Sequence, residues 1–235
     1  MPSSIKAIFF DVFGTLVDWR SSIAREAQQI LEPLGYALDW LAFADAWRAE
    51  YQPAMEEVRG GHIPFCKLDV LHMHNLEQIL PRFKVGKLDA ATRHNLNMAW
   101  HRLDAWPDVS RGLYRLKRKF MIAPVSNGNI SLMVALARRN DFPWDAILGS
   151  EIAGDFKPKP RVYLSACEAF DLKPAQCMMA AAHPNDLVAA AACGLKTGYV
   201  SRPNEKGRAA EYRARKETFD ISADDVEQLA GKLGG

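Results

Sequence analysis

The stretch Ile5-Lys6-Ala7-Ile8-Phe9-Phe10-Asp11-Val12-Phe13-Gly14-Thr15-Leu16 decides the fold. Its nearly continuous apolar run up to Asp11 reads as a strand buried on both faces of a parallel sheet, with a carboxylate at its carboxyl end. Gly14 relaxes the turn that follows, and Thr15 brings a hydroxyl for a local hydrogen bond. Ligands of open parallel sheets bind beyond the carboxyl ends of the strands, so Asp11 is placed to meet one. The plainer alternative is an aspartate that starts a turn or caps a helix.

Working outward, the pattern changes to amphipathic helices between Trp19 and about Trp100. Ile23, Ala27, Ile30, Leu31 and Leu34 share one face, and Trp40, Phe43, Ala44 and Trp47 another. Leu68 to Leu80 and Ala90 to Leu103 are further helix candidates, and no strand interrupts the stretch, so it reads as a helical insertion. After Trp106-Pro107-Asp108, helices and strands alternate. Helices are expected near Val109 to Arg118, Ile130 to Arg139, Arg161 to Phe170 and Asp186 to Cys193. Strands are expected at Phe120 to Val125, Ile147-Leu148, Cys177 to Ala181 and Thr197 to Val200, with a last short strand at Phe219-Asp220-Ile221 and a helix from Val226 to Leu233. This is repeated βαβ construction, a doubly wound α/β fold with a parallel sheet. Residues 1–17 and 101–235 make its core and residues 18–100 a helical cap.

Composition narrows the partners. The 235 residues are 49% hydrophobic and 25% charged, enough for a sizeable core, and the formal charge of +2 with scattered Lys and Arg gives no field for nucleic acid. A small molecule is the expected ligand. Four cysteines lie too far apart for a zinc site, and most sit in surroundings that suit buried thiols, which fits a reducing cytoplasm. Met1 to Ser4 lead directly into the first strand, so neither secretion nor membrane insertion is expected.

Three later strand ends carry candidate chemistry. In Val125-Ser126-Asn127-Gly128-Asn129 a hydroxyl and an amide stand where helix-start N–H groups suit an anion, or where one of them simply caps the helix. In Asp155-Phe156-Lys157-Pro158-Lys159-Pro160-Arg161-Val162-Tyr163, the proline holds Lys157 extended, so its ammonium projects from a stiff loop and can keep a nearby carboxylate ionised, whereas Lys159 reads as a solvated lysine. In Ala181-Ala182-His183-Pro184-Asn185-Asp186 the strand releases His183 and Asp186. Asp186 fits polarising a water, positioning Lys157 or capping a helix, and His183 fits holding a proton near neutrality or a structural hydrogen bond.

These four blocks, in this order, resemble the haloacid dehalogenase-like hydrolases along essentially the whole chain. Phosphatases of that group carry a second aspartate two residues after the nucleophile as general acid, and here that position is Phe13. A phosphate leaving group needs a proton and its dianion needs charge compensation, usually magnesium, and a phenyl ring supplies neither. A halide leaves as a stable anion. The closest resemblance is to the (S)-2-haloacid dehalogenases, whose nucleophile block, like DVFGTLVDW here, has an aromatic in place of the second aspartate.

The resemblance implies that Asp11 attacks carbon 2 of a short 2-haloalkanoate, forming an ester that water then hydrolyses with net inversion. It further implies that Thr15 and Lys157 orient Asp11, that Arg48 in the lid holds substrate and departing halide, that Ser126 and Asn127 bind the substrate carboxylate or halide, that Tyr163 hydrogen-bonds within the site, and that Asp186 serves the hydrolytic water. Where familiar members have serine, asparagine and tryptophan before that last aspartate, this chain has Ala181, His183 and Asn185, so His183 is set to assist or replace the missing amide. No metal and no cofactor are expected. Asp155 is not counted as part of a magnesium site with Asp11 and Asp186. A homodimer is expected, with Trp40 and Trp47 suiting either a dimer contact or packing within the lid. The alternatives are a magnesium-dependent phosphatase of the same group and a non-catalytic binding relative.

Overall fold

The opening run forms strand β1 (Ala7–Phe10), in which every side chain is fully buried. Side chains alternate across a strand, so Ile8 and Phe10 enter one apolar cluster while Ala7 and Phe9 enter another on the opposite face. The computed structural model describes residues 5–207 and 218–235, and Met1 to Ser4, expected to lead into β1, lie outside them.

β1 is central in a six-stranded sheet. On one side it pairs in parallel with β4 (Met121–Ser126), which pairs with β5 (Leu148–Gly149). On the other it pairs with β6 (Cys177–Ala181), followed by β7 (Lys196–Val200) and β8 (Ile221–Ala223), all parallel. The sheet order β5-β4-β1-β6-β7-β8 is the doubly wound arrangement expected. Parallel neighbours need helical crossovers. The crossovers place α6 (Val109–Lys117) and α7 (Ile130–Asn140) on the Ile8/Phe10 face, where α11 (Val226–Lys232), following β8, also packs, and α9 (Pro160–Ala169) and α10 (Pro184–Ala192) on the Phe9 face. A short α8 (Ser150–Ala153) follows β5.

Between β1 and α6 the chain makes a two-stranded antiparallel ribbon, β2 (Val17–Asp18) with β3 (Asp104–Ala105), and extends five helices beyond it. These are α1 (Trp19–Leu31), α2 (Trp40–Ala49), α3 (Tyr51–Arg59), α4 (Leu68–Ile79) and α5 (Ala90–Asn97). Several expectations are corrected. α1 ends at Leu31, and Leu34, assigned to its buried face, lies in a 3₁₀ turn and is exposed. The helix expected from Ala90 to Leu103 breaks after Asn97 into a 3₁₀ segment. α3 had no counterpart in the sequence reading, because Pro53 and the polar Gln52, Glu56 and Glu57 blur its apolar period, although proline is tolerated in a first helical turn. Trp47 is fully buried, donating its indole N–H to the carbonyl of His72, so it is unavailable to a partner chain, and Trp40 is only half-buried. Among the cysteines, Cys167 and Cys177 are buried while Cys66 and Cys193 are half-buried.

The lid meets the sheet edge through polar straps. Asn129, just before α7, donates from Nδ2 to Asp69 of α4 at 2.9 Å, and Asp69 also receives His101 at 3.0 Å. Arg59 of α3 donates to the carbonyl of Lys157 at 2.9 Å.

Candidate active site

The backbone beyond β1 folds back on itself before entering the lid. Leu16 and Val17 both donate to the carbonyl of Val12, and Gly14 donates to Val17. Gly14 adopts φ +81°, a left-handed conformation that glycine takes without strain. The loop is clamped from outside by Arg202, which donates to the carbonyl of Thr15 and makes a two-pronged ion pair with Asp108. Thr15 Oγ1 turns inward, donating to Asp11 Oδ2 at 2.7 Å and accepting from the Ala182 N–H at 2.9 Å, which joins the β1 loop to the end of β6.

Lys157 lies between two carboxylates. Its Nζ donates to Asp11 Oδ1 at 2.8 Å and to Asp186 Oδ2 at 2.6 Å, and all three side chains are nearly buried. Burial would raise the Asp11 carboxyl, but the Lys157 charge and the His183 bond outweigh it and hold Asp11 well below the usual carboxylate range. For Lys157, burial acts against the charged form and the two carboxylates override it, so the ammonium is locked on. Asp186 is raised by burial and by the neighbouring Asp11 charge, against the pull of Lys157. Its other oxygen accepts from Tyr163 Oη at 2.5 Å, and burial together with the Asp186 charge keeps Tyr163 a phenol that donates. The Lys157–Pro158 peptide is cis, and Lys159 is exposed as expected.

His183 approaches Asp11 from the other side, with Nδ1 3.0 Å from Oδ2. The residues beneath the lid are of a different kind. Asp11 shares a cavity of about 130 Å³ with Phe13, Arg48, Tyr51, Asn127 and Tyr163, among others. The Phe13 ring is held edge-on by Tyr51 and Trp100. The Arg48 guanidinium lies over Tyr51, 3.9 Å from the ring centroid, and its Nη1 is buried with no hydrogen-bond partner among the described residues. A buried cationic donor left unpaired is costly, and an anion at that point would satisfy it.

Asn127 plays two parts. Its Oδ1 accepts from the Lys157 N–H at 2.8 Å and from Ser150 Oγ at 2.9 Å, fixing the lysine loop. Among the described residues its Nδ2 reaches only the Met55 sulfur, a weak acceptor, which leaves an amide donor on the cavity wall. Ser126 departs from expectation. It is fully buried, its Oγ accepts from the Gly128 N–H at 3.1 Å, and it is not among the cavity walls, so its hydroxyl shapes the loop where a ligand contact was expected. Asp155 also stands apart, with Oδ1 taken by the Phe156 N–H.

Residues 5–194 of the 235 match a known family model, that of the haloacid dehalogenase-like hydrolases. The chain belongs to that family. Among solved members of the haloacid dehalogenase-like hydrolases, a defluorinating L-2-haloacid dehalogenase is 40% identical, with a TM-score of 0.95, covering 98% of this chain and 96% of its own. A second L-2-haloacid dehalogenase is 42% identical with a TM-score of 0.92, covering 98% and 99%. The (S)-2-haloacid dehalogenase 1 of Pseudomonas sp. strain CBS-3 is 29% identical over 208 residues, 86% of each chain.

Glu205, like Tyr51 and Arg59 of α3, escaped the sequence reading of this haloacid dehalogenase-like site. Glu205 follows β7, the strand beside β6, and its carboxylate accepts from His183 Nε2 at 3.1 Å and from the Trp19 indole at 3.1 Å. The available signal is positional: the loop after β7 leaves the sheet on the same edge as His183. Gly14 is what admits it, since a Cβ there would stand 2.2 Å from Glu205 Oε1. Gly14→Ala is therefore expected to destabilise the protein by about 1–3 kcal/mol through the left-handed backbone alone, with Glu205 displaced besides. Urea unfolding measures the first effect, and a loss of turnover larger than the stability loss explains would report the second.

Proposed function

We propose that this protein is a hydrolytic (S)-2-haloacid dehalogenase, converting short 2-haloalkanoates to 2-hydroxy acids through an ester on Asp11 with inversion at carbon 2. The observation that carries the reading is the Phe13 ring, two residues after the nucleophile, on the wall of the cavity that holds Asp11 and Arg48, whose Nη1 has no hydrogen-bond partner among the described residues. An apolar wall suits a carbon under displacement, and the position offers no acid for a phosphate leaving group. The cavity also suits the size, because a cavity of about 150 Å³ accommodates the six non-hydrogen atoms of benzene, as many as 2-chloropropionate has.

In this reading the substrate carboxylate and departing halide are held by Arg48 and the Asn127 amide, and Lys157 and Thr15 fix the Asp11 oxygens for attack. Lys157 holds Asp11 ionised, and burial beneath the lid spares the nucleophile a full hydration shell. The likeness to a defluorinating enzyme adds fluoroacetate to the substrates worth testing.

The test is halide release from (S)- and (R)-2-chloropropionate and from haloacetates with EDTA present, beside phosphate release from p-nitrophenyl phosphate with magnesium. Halide from the (S) substrate with (R)-lactate as product is expected. Magnesium-dependent phosphate release with no halide would sink the reading. Arg48→Gln is expected to raise KM roughly 10- to 100-fold, the loss of a charged hydrogen bond worth about 1.5–3 kcal/mol. The fold should hold in that variant, since it removes a buried Nη1 donor that has no hydrogen-bond partner among the described residues.

We further propose a homodimer in a reducing cytoplasm. The exposed Leu34 and Leu41 of the lid and the free cysteines support these two points. Sedimentation equilibrium tests the dimer. No helix among the described residues is long and apolar enough to cross a membrane.

A further inference from the structure

Hydrolysis of the Asp11 ester needs a group that takes a proton from water, and Asp186 is poorly free to do so. One of its oxygens is bound by Lys157 at 2.6 Å and the other by Tyr163 at 2.5 Å. His183 is differently placed. It bridges two carboxylates, Asp11 through Nδ1 and Glu205 through Nε2. Glu205 is itself fixed by the Trp19 indole and nearly buried. A carboxylate on Nε2 sets the neutral tautomer: the proton stays on Nε2 and the Nδ1 lone pair points at Asp11. That is the geometry by which a buried carboxylate orients a histidine base toward its nucleophile. A second cavity shares Arg48, Tyr51, Gln52 and His183 with the first and runs to Glu205 and Lys206, giving water an approach from the His183 side.

We infer that His183 is the base that activates the hydrolytic water, with Glu205 as the positioning residue that orients it. The inference rests on the ester reading above. In the resting enzyme, burial opposes the His183 charge, but the Asp11 and Glu205 bonds prevail and push its pKa up to about 10, so the imidazolium is present at neutral pH. Charged groups around it are Asp11 and Glu205 in contact, Lys157 and Asp186 in the same cleft, and Asp45, Arg48 and Lys206 along the second cavity.

Attack on carbon 2 breaks the carbon–halogen bond, forms the Asp11 ester and removes the Asp11 negative charge. His183 then keeps one carboxylate partner, and its proton passes to solvent. Neutral Nδ1 accepts a proton from water as hydroxide adds to the Asp11 carbonyl carbon. The tetrahedral intermediate breaks its bond to the substrate oxygen, and the proton of the regenerated Asp11 carboxyl goes to the departing alkoxide. The enzyme returns with His183 charged and Asp11 ionised. The sum is haloacid plus water to hydroxy acid, halide and one proton, and that proton leaves between the two half-reactions.

The experiment is a rapid-quench single turnover of (S)-2-chloropropionate by wild type, Glu205→Gln and Asp186→Asn, following halide, lactate, released proton and intact-protein mass. Glu205→Gln is expected to keep a stoichiometric halide burst while its steady turnover falls roughly 100-fold or more. Its mass should show one propionate unit accumulating on the peptide of Asp11, and the acid limb of ester breakdown, set by deprotonation of His183, should move to lower pH, which a merely structural role would not cause. Glu205→Asp should restore part of the breakdown rate. If Glu205→Gln fails to fold by near-ultraviolet circular dichroism, His183→Gln reads the same split between burst and breakdown. Wild-type turnover in Glu205→Gln, or ester accumulating in Asp186→Asn alone, overturns the assignment. Absence of halide and adduct in wild type instead overturns the ester reading itself, and the two failures are distinguished by the burst.

Discussion

Asp11→Asn is expected to lower halide release from (S)-2-chloropropionate by at least roughly 10⁴-fold, the scale on which enzymes lose rate when their nucleophile is removed. Asparagine keeps the volume and one carbonyl oxygen, so Thr15 can still donate to position 11, and the Lys157–Asp186 pair stays intact. What vanishes is the anionic oxygen. No neighbour replaces it: Thr15 is a donor whose own oxygen is bound by Ala182, and both oxygens of Asp186 are already bound. A halide electrode measures the rate, mass spectrometry should find no adduct, and circular dichroism should report an unchanged fold. Release above about one hundredth of wild type, well outside that scale, would move the nucleophile elsewhere and favour direct attack by water.

Lys157→Met should do the greatest damage to stability. Methionine matches the length of lysine but leaves Asp11 and Asp186 buried without the cation between them. Breaking a buried ion pair by removing one partner costs about 3–5 kcal/mol, which for a protein of this size lowers Tm by roughly 6 to 20 °C. The pH dependence fixes the cause. The folded Asp11 carboxyl is depressed below its ordinary 3.8, so the stability it draws from Lys157 and His183 is present above that pH and is lost as acid approaches the folded value. The gap between wild type and Lys157→Met should thus be widest near neutrality and narrow steadily below about pH 4. A gap that persists in acid would point to lost packing of the lysine stem. Activity should fall as well, and recover in part at higher pH, where Asp11 ionises without its ammonium.

The sheet was readable because its strands are short apolar runs ending in small or polar residues, and the chemistry sits at those ends: Asp11 after β1, Lys157 in the loop before α9, Asp186 in α10 after β6. Such residues announce themselves by breaking an apolar pattern. Ser126 breaks the pattern in the same way, yet its hydroxyl bonds its own loop, a choice set by backbone torsions that the sequence does not display. α3 was hidden because Pro53, the Gln52 carboxamide and the Glu56 and Glu57 carboxylates obscure its period, and with it went Tyr51, which carries Arg48, and Arg59, which holds Lys157. Glu205 was illegible for another reason. Its role depends on β7 lying beside β6, on Gly14 leaving room and on Trp19 supplying an indole, and each of these is a fact of assembly.

The pairing of β1 carries a consequence for how this chain comes to life. Its neighbours are distant in sequence: Ala7 stands beside Met121 on one side and Cys177 on the other. Asp11 at its end is completed by Lys157 from the loop before α9 and by His183 from the turn before α10, itself held by Glu205 from beyond β7. No short fragment of the polypeptide can hold a working nucleophile, and a ribosome must release about half of the chain before the first strand finds either partner. Such long-range closure slows folding. Recovered dehalogenation therefore serves as a late reporter of refolding, trailing the return of helical signal from the lid, whose contacts are local.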